Sequence, residues 1–168
     1  MSDLTMTGSG HRNDASEVEK PTVTVRSVHE SKVLHAFGDE QRVLLRGENT
    51  GGQLAMLLAT TPPGSGPPPH YHENEDEWFY LLEGELEFFV DGVWREVKAG
   101  TAVFIPRNTI HTFKNTGDTP LKMLIQTTPA GFETFFKRCS EEFAKPGPPD
   151  MGRIIAISAE HGIHYVMD

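Results

Sequence analysis

Gly64-Ser65-Gly66-Pro67-Pro68-Pro69-His70-Tyr71-His72-Glu73-Asn74-Glu75-Asp76-Glu77-Trp78-Phe79-Tyr80-Leu81-Leu82-Glu83-Gly84 decides the fold of this 168-residue chain. It joins a stiff proline loop to a cluster of imidazoles and carboxylates, then to an apolar run ended by a glycine. The prolines fix φ and withhold amide donors, so the loop carries no regular structure. Trp78 to Leu82 has the aromatic and aliphatic content of a strand. Residues two apart on a strand share a face, so His70 and His72 point one way and Tyr71 the other. Glu77 lies at an odd spacing from His72. It rejoins the histidines if the chain bends through Glu73 to Asp76, which four polar residues permit. His111 opens a later strand, and an antiparallel neighbour can carry it beside the first two.

Outward from this stretch the chain reads as short strands parted by turns. Thr22 to Arg26 alternates. Arg42 to Arg46 and Gln53 to Ala59 form a pair across the turn Gly47 to Gly52. Glu85 to Val90 and Val93 to Val97 flank Asp91-Gly92, a strong hairpin signal. Ala102 to Ile105, His111 to Asn115 and Leu121 to Gln126 complete about nine strands. That spacing argues for an all-β sandwich or barrel. The period then changes. Phe132, Phe135, Phe136, Cys139 and Phe143 recur at helical spacing, with Lys137, Arg138, Glu141 and Glu142 on the other face. Pro146 stops that helix, and a second runs from about Met151 to Glu160. The expected organisation is a disordered tail over 1–20, a barrel over 21–128 and a helical extension over 129–168 that packs on the barrel.

Composition excludes several classes. A net charge of -9 and the lack of a basic stripe argue against nucleic acid. No apolar run approaches the roughly 20 residues of a membrane span. The single cysteine excludes an internal disulfide and fits a reducing cytoplasm. Three neutral imidazoles and one carboxylate suit a divalent Fe, Ni, Co, Mn or Zn ion. Four protein ligands leave coordination positions free, which marks a catalytic site. Tyr71, Glu73 and Glu75 read as bystanders. His29, His35, His161 and His164 lack ligand spacing.

These residues resemble a known family. Gly64, five residues, His70-Tyr71-His72, four residues, Glu77, six residues and Gly84 match the first cupin motif. Gly100, five residues, Pro106, then His111, three residues and Asn115 resemble the second. Asn108 stands where the family usually has glycine, and Asn tolerates a left-handed turn better than most residues. The resemblance implies a jelly-roll β-barrel in which His70, His72, Glu77 and His111 converge on a metal. Pro67 to His70, Glu75 to Tyr80 and Thr128 to Glu133 look more narrowly like single-domain bacterial cupins of the quercetinase type, which open a flavonol ring with dioxygen. On that reading Glu77 is both a ligand and the general base. The pocket should then accept a hydrophobic or aromatic molecule, with Met56, Trp78, Phe104, Phe113, Met123 and Ile125 as its expected lining. Two other readings stand beside it. One is an isomerase or decarboxylase acting on a small polar substrate, which would need basic or hydroxyl groups inside the barrel; Arg42 and Arg46 would support it if they point inward. The other is a non-catalytic, metal-loaded binder of small ligands. The resemblance also implies a homodimer, with Pro21 to Val28 as the natural arm.

Overall fold

Inward alternation builds the strands and a hydrophobic interior joins them. The computed structural model describes residues 20–166, so the tail reading over 1–19 falls outside the described residues. The strands are β1 (Val33–Ala36), β2 (Asp39–Leu45), β3 (Ala55–Thr61), β4 (His70–His72), β5 (Asp76–Glu83), β6 (Glu85–Val90), β7 (Val93–Lys98), β8 (Ala102–Ile105), β9 (His111–Asn115), β10 (Leu121–Thr128) and β11 (Ile163–Tyr165). They form two antiparallel sheets. One has the order β1-β2-β3-β10-β5-β8, the other β11-β4-β9-β6-β7. β3 and β10 bury every second residue between the sheets, from Ala55 to Thr61 and from Leu121 to Thr127. Phe79, Leu81, Phe88 and Phe113 complete that interior. Burying such side chains stabilises the fold by about 1.5–3 kcal/mol each.

Two devices set the loops beside the histidines. Gly66 lets the proline loop run against β9, because a Cβ there would lie 1.9 Å from the Phe113 carbonyl oxygen. The Asn115 N–H donates to Ser65, and the Gly64 N–H donates back to Asn115. Asn108 takes the left-handed conformation, φ 64°. Its N–H donates to the His72 carbonyl over 2.7 Å, so the turn before β9 is tied to β4.

The helices α1 (Gly47–Thr50), α2 (Phe132–Phe143) and α3 (Met151–Glu160) punctuate the sheets. The phenylalanine stripe of α2 packs inward, with Phe132, Phe135, Phe136 and Cys139 buried. Phe37, at the turn between β1 and β2, meets Phe135, Phe136 and Phe143 ring to ring. The Cys139 thiol is buried and pushed up to about 12 by that burial, which makes it packing rather than a nucleophile.

Three features depart from the sequence reading. Thr22 to Arg26 is no strand, and Val23 and Val25 are 100% and 94% exposed. Alternation alone makes no strand without a neighbour to take the backbone hydrogen bonds. β1 escaped notice because four residues give only Leu34 and Ala36 as an inward pair. The C-terminal segment does more than cap the barrel with helices. After α3 it returns as β11, pairing Ile163 with His72 and Tyr165 with His70.

Candidate metal centre

His70 and His72 face inward from β4, and the strand pairs His70 with His111 of β9. Glu77 enters from β5 of the opposite sheet. The bend through Glu73 to Asp76 carries the chain from one sheet to the other, which is how an odd spacing still gives one site. Arg107 pins this bend, because its backbone N–H and its guanidinium both donate to the Asp76 carboxylate.

The four side chains converge. Glu77 Oε2 lies 3.1 Å from His111 Nε2 and 3.4 Å from His72 Nε2. One donor atom from each of His70, His72, Glu77 and His111 falls within 4.8 Å of all the others. Ligands about 2.1 Å from one ion stand about 3.0 Å apart at right angles and about 4.2 Å apart when opposite. The set is therefore the right size for a single cation.

The polarity of the set points to a cation as well. The Nδ1 atoms of His70 and His111 each lie 2.9 Å from a carbonyl oxygen, of Pro68 and Thr109. Those carbonyls accept only from Nδ1–H, which leaves the Nε2 lone pairs facing the carboxylate. Acceptors facing acceptors in a buried site need a positive charge between them. Burial, with the neighbouring imidazoles, pushes His70 down to about 3, so it stays neutral. Both ring nitrogens of His72 lack a hydrogen-bond partner. Burial alone would raise Glu77, but the imidazoles, His72 first, more than offset it and hold the carboxyl below its usual range.

Glu75 was read as a bystander, and the structure overturns that. It is 4% exposed, and its Oε2 lies 3.4 Å from His72 Nδ1. The bend that brings Glu77 to the metal turns Glu75 inward behind His72. Closing from 3.4 Å onto Nδ1 when His72 ligates, the Glu75 carboxylate would fix the ring and raise its basicity. Glu75→Ala is expected to lower metal affinity by about 10–100-fold while the protein stays folded. A competition titration against a chelator reads this, and unchanged affinity would show that Glu75 is only packing. The other two bystanders lie outside the cluster: Tyr71 stacks on His164, and Glu73 pairs with His164 at 3.2 Å.

A cavity of about 60 Å³ opens beside His70 and Glu77. Phe113 and Ile125 line it, together with Phe79, Phe132, Phe135 and Phe136. Met123 is fully buried but does not line it. Met56, Trp78 and Phe104 are corrected: they lie on the outer face of the six-stranded sheet. The register sets Met56, Gln126, Trp78 and Phe104 in one row, and the Trp78 indole donates to Gln126. Alternation explains the error. An inward Glu77 forces Trp78 outward and Phe79 inward, and Phe104 is 61% exposed.

Residues 57–126 match the family model described as the cupin domain. The barrel has the cupin fold. Over 107 residues the chain is 31% identical to quercetin 2,3-dioxygenase of Bacillus subtilis, covering 63% of this chain and 32% of that protein. It therefore spans about a third of that relative's length. Among solved structures, a predicted oxalate decarboxylase from Thermotoga maritima is 28% identical with a TM-score of 0.60, over 63% of this chain and 99% of that one. An RmlC-like cupin from Shewanella frigidimarina, 19% identical with a TM-score of 0.58, covers 67% of this chain and 96% of its own and shows the shared fold. The four convergent residues fall on the two cupin motifs. No helix among the described residues is long and apolar enough to cross a membrane.

Proposed function

We propose that this cupin is a metal-dependent dioxygenase of the quercetinase type, cleaving an aromatic, flavonol-like substrate with dioxygen. The observation that carries the reading is the cavity beside the four-residue cluster. Its described lining is rich in phenylalanine and contains no Lys or Arg. A decarboxylase of small dianions would need a second cation beside the metal to hold the far carboxylate, yet this wall presents the carboxyl groups of Asp39 and Glu77. Arg42 faces away, bonded to Glu40 and to the carbonyls of Val28 and Ser31, and Arg46 lies near Glu48 at the surface. The likeness to the Bacillus subtilis quercetin 2,3-dioxygenase supports the same reading.

His70, His72, Glu77 and His111 would hold the metal. A bound divalent ion supplies Lewis acidity that polarises a substrate hydroxyl oxygen. Beside it, the Glu77 carboxylate accepts the hydroxyl proton. Phe79, Phe113 and Phe132 exclude water around the ring. Dioxygen is the oxidant and both its atoms enter the product, so no external reductant is needed.

The cavity holds about four or five waters' worth of space, which is about one aromatic ring. A three-ring flavonol therefore requires the wall of Phe37, Phe132 and Phe136 to give way. The protein loaded in turn with Fe, Ni, Co, Mn or Zn is expected to bleach the quercetin absorbance under air and not under argon. No turnover with any of the five metals would sink the reading.

Two further points belong to the same reading. The chain acts as a homodimer, supported by the outer-face row at Trp78 and the exposed Phe104 and by the exposed Val23 and Val25; a monomer in light scattering would contradict it. Its single cysteine, buried and without a disulfide partner, suits the cytoplasm, and a localisation experiment placing the protein outside would overturn that assignment.

A further inference from the structure

We propose that Asp39 and Gln41 form a second binding subsite in the cavity, one that accepts a hydrogen bond from a phenolic hydroxyl of the substrate away from the metal. The proposal rests on the aromatic-substrate reading and deepens it. Both residues line the cavity that touches His70 and Glu77. Both are on β2 and face inward, 8% and 1% exposed. Asp39 Oδ1 and Gln41 Oε1 are buried without a hydrogen-bond partner, and so is the hydroxyl of Thr61.

Unpaired buried acceptors are costly, and an apolar barrel has little reason to keep two of them on one wall. Turning the Gln41 amide would exchange its oxygen for a donor, but Asp39 remains an acceptor either way. If its carboxyl is protonated, one oxygen still has free lone pairs. The Thr61 hydroxyl beside Asp39 can turn to one of these acceptors, and the other still lacks a donor.

Register gives the span. Gln41 shares an inward row with Ala59, Met123 and Leu81. Leu81 is four residues along β5 from Glu77, which is about 13 Å of strand. Phe113, Ile125 and Phe136 line the same cavity. They would clasp the ring, leaving its hydroxyl to the polar wall.

The test compares p-cresol with toluene, one ring with and without a hydroxyl, on the metal-loaded protein by calorimetry. Toluene leaves water more readily, so an apolar pocket alone prefers it. The expected result is p-cresol binding at least ten-fold more tightly. In Gln41→Met, and separately in Asp39→Leu, that preference should fall by ten-fold or more while toluene affinity moves less than three-fold. Circular dichroism checks the fold, and Gln41→Met decides if Asp39→Leu does not fold. A hydroxyl preference that survives both substitutions would place its recognition at the metal. That outcome overturns the subsite and leaves the phenolic reading standing. Toluene binding as tightly as p-cresol, or neither ring binding, overturns the subsite too, whatever quercetin turnover shows.

Discussion

Glu77→Gln is expected to retain part of its metal and to lose flavonol turnover by about 10²–10⁴-fold, the usual contribution of a positioned base. The substitution keeps shape and volume. The amide oxygen can still face the cation, and three imidazoles remain. What disappears is the charge that holds the cation and the lone pair that takes a proton. The surroundings make the loss specific. Glu77 is 2% exposed, and its Oε2 is flanked by His72 Nε2 and His111 Nε2, so bulk water has no route to replace it as base. Metal content by elemental analysis and turnover by loss of quercetin absorbance separate the two effects. Wild-type turnover in a loaded variant would refute the base assignment. Turnover and metal content lost in proportion would make Glu77 a ligand and nothing more. A lost base lowers kcat with metal present, whereas a lost ligand lowers the loaded fraction.

The parts of this molecule that were legible in sequence are those whose information is local. Alternation in Leu121 to Gln126, the Asp91-Gly92 turn and the three-and-four spacing of Phe132 to Phe143 each specify an element without reference to the rest of the chain. The His70, His72, Glu77 and His111 spacing could be read because the cupin motif preserves it. What escaped depends on partners distant in sequence. β11 is three residues that become a strand only because β4 offers an open edge. Glu75 looked like one more loop acid, and its burial is set by a bend that crosses between sheets. Phe79 could have been found: once Glu77 is placed inward, the period of two names Phe79 and rejects Trp78. Asp39 and Gln41 sit in a polar stretch, Asp39-Glu40-Gln41-Arg42, where nothing separates the inward pair from the outward one.

Asp39→Asn is expected to stabilise the protein at pH 8 and to gain almost nothing at pH 4. Burial pushes the Asp39 carboxyl up to about 7, and the neighbouring Thr61 hydroxyl offsets only part of that. An unfolded aspartate titrates near 3.9. Between those values the folded chain holds a proton that the unfolded chain has released, so stability falls as pH rises. The contribution is complete below about pH 4 and is lost by about pH 7. Three pH units correspond to about 4 kcal/mol at most, and relaxation around the carboxylate brings the expected change nearer 2 kcal/mol. Asparagine has the same shape and no charge to bury, so its stability does not fall through that window. In a chain of this length about 2 kcal/mol moves Tm by roughly 4–8 °C. The difference in Tm between variant and wild type should therefore grow by that amount from pH 4 to pH 8. Any metal contribution is common to both proteins at each pH and cancels in the difference. An equal difference at both pH values would mean that Asp39 ionises as freely in the fold as in water. A carboxylate that weakens its own fold at neutral pH is kept for something other than folding, and its place on the cavity wall fits the proposed subsite.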